Sequence, residues 1–246
     1  MSTQALIQLF TVLLFIGFQK KSTAQSCDCE KEFLFLKNQL ESNYAGFSDK
    51  VKGNNKKKYE KLTGSLLMKS RSIQTGHYCD GLQKELITFF KDGHIQTGET
   101  GIKPVTDSAL LQQLFSQTES LQLTNIPNKP GSIEGIYYST DSTYKIAIIK
   151  NKTAFRDYAG VIVNSKVNTW TPGQVKLELK QLTPGTFIAY SYSRDHSGNA
   201  ALYNFDGHRL NNGTWTKADA MAIKKSTPPT APLPVRSSTT KHSIYK

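Results

Sequence analysis

Two short stretches bring together residue types that could move protons. Asp92-Gly93-His94 sets a carboxylate beside an imidazole, and Asp195-His196-Ser197 holds the three side chains of a hydrolytic triad. A triad needs its members converging from separate parts of the chain, because adjacent residues point apart and cannot relay a proton. Asp195-His196-Ser197 is therefore read as a polar turn between strands. Asp92 and His94 flank Gly93, at a place where a helix commonly stops in a left-handed residue, so the same stretch reads as a helix end. No Gly-x-Ser-x-Gly elbow, Gly-rich phosphate loop or His-Glu-x-x-His pair occurs. The histidines (His77, His94, His196, His208, His242) lack metal-ligand spacing. These residues assign no catalytic, metal-binding or cofactor-binding position, and no cofactor is expected.

The cysteines offer a structural bond instead. Cys27, Cys29 and Cys79 can place one disulfide, from Cys79 to Cys29 or to Cys27, with one thiol left over. Cys-x-Cys does not match the usual zinc spacing. Asn151-Lys152-Thr153 and Asn212-Gly213-Thr214 are glycosylation sequons in a host that glycosylates.

The elements around these residues fall into four segments. Residues 1–25 read as a signal peptide: an apolar run from Ala5 to Phe18, too short to span a bilayer comfortably, then small Ser22 and Ala24 at cleavage-site positions. Export follows, to the periplasm or outside the cell, with no membrane attachment after cleavage. Residues 26–125 have helical periodicity. Phe33, Leu36, Leu40 and Tyr44 form one stripe, with Asp28 as N-cap; Tyr59, Leu62, Leu66 and Leu67 form a second; Cys79, Leu82, Leu86, Phe89 and Phe90 form a third. Ser108 to about Leu121 is expected as a further helix.

From residue 131 to 217 the period becomes two. Val175, Leu177 and Leu179 alternate with Lys176, Glu178 and Lys180, which predicts a half-buried strand with one wet face. Further strands are expected at 133–139, 144–150, 159–165, 186–192, 199–205 and 208–216, with turns at Thr171-Pro172-Gly173, Thr183-Pro184-Gly185 and Asp206-Gly207. Trp170 and Trp215 sit at strand edges as plugs of the core or rim. Residues 218–246 are proline-rich and acid-poor beyond Asp219, the composition of a disordered tail. The fold class is α+β: a small helical bundle, then an antiparallel meander closed as a small barrel or folded as a sandwich.

The net charge of +12 is local. Residues 48–72 carry +6, residues 222–246 carry +5, and Lys20 and Lys21 add two more, leaving the rest near neutral. A nucleic-acid binder would carry a basic face with interleaved aromatics on its folded part, so nucleic acid is not an expected partner.

The order of features resembles a known family. An exported Cys-x-Cys start, helices ending in FFKDGHI, then SIEGIYY, YKIAIIK, YAGVIV and W-x-PGQVK are similar to the region preceding the catalytic domain of bacterial secreted C-terminal-processing (tail-specific) serine peptidases. The likeness covers about residues 27–217. It implies a serine nucleophile with a lysine base in an α/β domain beyond the proline-rich stretch, and polypeptide substrates. No residue here matches the nucleophile, base or oxyanion donors. The resemblance thus implies an accessory part, inactive alone, ending at Lys246 by truncation or frameshift. The alternative is a stand-alone exported protein that binds a peptide or small ligand.

Overall fold

A computed structural model describes residues 28–97, 107–126 and 131–219. The segment expected as a signal peptide, Cys27 and the expected tail beyond Asp219 lie outside these residues. The chain splits into two compact units with the break after Lys103, Gly198–Ala201 being counted with the first.

The first unit is helical: α1 (Cys29–Asn43), a short α2 (Phe47–Lys50), α3 (Asn54–Ser70) and α4 (Gly76–Thr88). Asp28 caps α1 by accepting the Lys31 N–H at 3.1 Å, and Glu30 and Glu32 complement the positive end of the helix. The three expected stripes meet. Phe33 and Leu40 from α1, Tyr59 and Leu66 from α3, and Cys79, Leu82 and Leu86 from α4 are all buried. Phe90, fully buried just past α4, packs edge-on against Tyr44 at 5.2 Å and Tyr59 at 5.9 Å, and Phe47 meets Tyr59 edge-on at 5.4 Å. A disulfide joins Cys29 at the start of α1 to Cys79 in α4, which selects one of the two expected pairings.

The second unit holds, apart from Gly198–Ala201, an eight-stranded antiparallel sheet: β1 (Gly135–Ser139), β2 (Tyr144–Lys150), β3 (Tyr158–Ser165), β4 (Val175–Thr183), β5 (Thr186–Tyr192), β6 (Gly198–Asn204), β7 (Arg209–Leu210) and β8 (Trp215–Lys217). The order β6-β5-β4-β3-β2-β1-β8-β7 is a meander whose last strands return to the first. A bridge between Phe205 and Leu210 links the two ends of that order, so the sheet is a nearly closed barrel rather than a sandwich. Tyr137, Ile146, Ile148, Ile162 and Leu177 are fully buried. Gly160 lies where a Cβ would stand 2.9 Å from Leu177 Cβ and 3.1 Å from Ile146 Cδ1, so its missing side chain lets the strands close up.

Three expectations are corrected. The strand expected at 208–216 is two, β7 and β8, turned by Asn211, Asn212 and Gly213, all with positive φ. The helix expected to reach Leu121 is α5 (Ser108–Gln117) and ends at Thr118, which turns extended. This helix falls in the second unit. After it, Ser120 bridges Gln174; the Leu121 N–H donates to Gly173 O at 2.7 Å and the Val175 N–H to Glu119 O at 2.9 Å. Residues 118–123 thus form a strap along the start of β4. The Lys176/Glu178 face is not wet either: Lys176 is 5% and Glu178 2% exposed.

Candidate functional site

The chemically notable groups of the second unit gather in two clusters. The first centres on Lys176, at an irregularity of the β3–β4 register where Gly160 pairs with Leu177 but Val161 with Val175, leaving Lys176 without an opposite number. Its ammonium lies 4.2 Å from the centre of the Trp170 ring and 4.3 Å from that of Tyr144. It donates to the carbonyls of Tyr192 at 2.5 Å and Ser193 at 3.2 Å. Burial pushes the amine down to about 7, against a small upward pull from Asp195. The carbonyls and ring faces favour its charged form.

Trp170 also stacks on His196, centroids 3.9 Å apart, and donates its indole N–H to Ser193 O. His196, in a left-handed conformation at φ 64°, holds Thr169 O at 2.6 Å through Nε2 and Thr118 Oγ1 at 2.5 Å through Nδ1. A carbonyl can only accept, so Nε2 carries the proton. Burial foremost, with the Lys176 charge, holds this imidazole below its ordinary value against the upward pull of the Thr169 bond and Asp195. Nδ1 meets the Thr118 hydroxyl oxygen, whose own proton is directed to the Leu114 carbonyl at 2.9 Å. Phe115 of α5 meets the same ring edge-on at 5.0 Å.

The second cluster surrounds Arg156, only 3% exposed. Its guanidinium makes two parallel bonds to Glu119 of the strap, at 2.7 and 2.8 Å, and a third at 3.0 Å to Glu178 of β4. Asn151 Oδ1 accepts two more N–H groups at 2.9 and 2.7 Å, and the Tyr192 hydroxyl donates to the other Glu178 oxygen.

The two stretches singled out in the sequence are both turns. Asp195 accepts the Ser197 hydroxyl at 2.6 Å, whereas the His196 ring is engaged with Thr118 and Thr169, so the three side chains form no relay. Asp92 accepts both the backbone N–H and the ring Nδ1 of His94 at 2.9 Å, and the Tyr44 hydroxyl at 2.7 Å. These bonds, the His94 backbone N–H foremost, hold the Asp92 carboxyl down to about 2. The left-handed residue at this helix end is Lys91, φ 50°, and not Gly93.

Chemically, the Lys176 ammonium faces carbonyl oxygens and ring faces; a lysine base would need a hydroxyl to deprotonate. Trp170, expected as a plug, is 3% exposed, and Trp215 is 6% exposed. Thr169 Oγ1 is buried with no hydrogen-bond partner among the described residues. Neither Lys176 nor Arg156 was singled out in the sequence as a site residue; the one available signal was a Lys-x-Glu alternation inside an apolar strand. Among the described residues no three His, Cys, Asp or Glu side chains group to hold a metal, and no helix is long and apolar enough to cross a membrane.

No family model, curated protein or solved structure matches the chain.

Proposed function

We propose that this chain is the accessory, non-catalytic part of an exported tail-specific serine peptidase, acting on polypeptide. The observation that carries the reading is the placement of the resembling motifs. IEGIYY enters β1, YKIAIIK and YAGVIV fall in β2 and β3, and PGQVK leads into β4, in that order on neighbouring strands of one sheet. The disulfide of the helical unit is compatible with an oxidising compartment. Lys176, His196 and Arg156 each spend their hydrogen bonds on holding the fold. The gene beyond codon 246 tests the reading: a serine-containing, Gly-rich α/β domain in another frame is expected, and a stop with no such sequence downstream sinks it. Peptidase activity of the isolated chain, lost on a single substitution, would overturn the accessory role.

A second reading, a stand-alone exported binding protein, is favoured by the return of β8 to β1, which lets the sheet close without an added domain. Stoichiometric binding of a peptide or small ligand by the chain, with no peptidase domain encoded nearby, would decide for it.

A further inference from the structure

The strap is bound as a peptide would be. Residues 118–123 run antiparallel to Gly173–Val175 with one bridge and two backbone hydrogen bonds, which is how an extended ligand adds to a sheet edge. Every second side chain is inserted. Glu119 forks onto Arg156, and Leu121 and Leu123 pack on a patch of Ala159, Val161 and Val175, with Ile149 beside it, while Gln122 is exposed.

The socket does not need the strap in order to be formed. Glu178 and Asn151 fix the Arg156 guanidinium from the barrel side, and Tyr192 fixes Glu178, so a carboxylate receptor stands ready-made. Beyond Thr118, whose hydroxyl is held by His196, the strap is thinly attached: its Glu119 side chain is 49% exposed, and Leu121 and Leu123 are only half-buried. We propose that residues 118–123 are an internal ligand in a displaceable peptide groove, and that the external ligand is an extended polypeptide reading acid-x-Leu-x-Leu. This assignment stands whether or not a peptidase domain adjoins.

A tethered segment competes at an effective concentration in the millimolar range, so a free peptide must be offered to a weakened strap. The test is fluorescence anisotropy of a labelled Thr-Glu-Ser-Leu-Gln-Leu peptide titrated with the full chain and with its Glu119→Gln variant. Glu178 still neutralises Arg156 in that variant. The variant is expected to bind at least about tenfold more tightly than the unaltered chain, and a peptide with Gln in place of Glu to lose about tenfold. Absence of binding to the variant at millimolar peptide, or equal binding of the Gln peptide, overturns the proposal. Hydrogen exchange of the unaltered chain supplies a second reading that needs no variant. The Leu121 and Val175 amides, which cross the strap, should exchange faster than those joining β3 to β4. Equal protection of the two sets would equally overturn it.

Discussion

Trp170 lies between a cation and an imidazole: its ring meets the Lys176 ammonium at 4.2 Å and stacks on His196 at 3.9 Å. Three residues from separate loops and strands thereby form one stack, and two of them titrate.

That pairing predicts how stability follows pH. The Lys176 amine is held near 7 in the fold against 10.5 ordinarily, so between those values the unfolded chain binds more protons. Stability therefore rises with pH through this window, as the cost of burying the charge is relieved. His196, also lowered, acts in the same direction below its ordinary 6.5. Urea midpoints read from tryptophan fluorescence should increase from pH 7 to about pH 9.5, and Lys176→Met should flatten that rise. An equal rise in the variant would show that Lys176 is not its source.

Removing the guanidinium of Arg156 leaves Glu178, 2% exposed, without its main counter-charge. Arg156→Met should cost about 3 kcal/mol or more, the penalty of an uncompensated buried carboxylate. Arg156→Met combined with Glu178→Leu should recover part of that loss, since no charge is then stranded. Chemical denaturation of both variants measures the difference.

Breaking the disulfide should act on the helical signal. Cys29 and Cys79 close a loop of separation 50, for which chain entropy gives about 4 kcal/mol. Cys79→Ser should lower the thermal midpoint followed by circular dichroism at the helical band, and added reductant should do the same to the unaltered chain. A midpoint indifferent to both would mean the loop is already constrained when unfolded.

Gly160→Ala drives a methyl into Leu177 Cβ, where only 2.9 Å is available. A cost of about 1–3 kcal/mol is expected from overpacking. Ile146→Val, which removes the Cδ1 atom standing 3.1 Å from the same point, should restore some of it. Failure of the second substitution to help would place the strain wholly at Leu177 Cβ.

Local signals proved legible where local chemistry decides. The short apolar segments Tyr144–Lys150 and Thr186–Tyr192, each bounded by turn residues, become β2 and β5 at the expected limits. The helical stripes through Phe33, Tyr59 and Cys79 likewise all turn inward. What stayed hidden was non-local. Thr118 leaves the helix because the residues after it pair with Gly173–Val175, a partner more than fifty positions away. The burial of Lys176 and Glu178, which a period of two assigns to solvent, rests on distant partners too: Trp170, Tyr144 and the Tyr192 carbonyl for the lysine, Arg156 and the Tyr192 hydroxyl for the glutamate. The split of 208–216 rests on three successive left-handed residues, a conformation that Asn tolerates and that hydrophobic spacing does not report.

The pairing of Tyr137 with Lys217 has a temporal consequence. The strand made first finds its outer neighbour only after nearly the whole sheet has been synthesised, so β1 emerges as an open edge able to pair with other chains. Such high-contact-order closure is slow, and it opens a period in which a holding factor or a transport channel competes with folding. A chain interrupted before Trp215–Lys217 would keep that edge permanently, and its failure would be seen as aggregation before it was seen as lost binding.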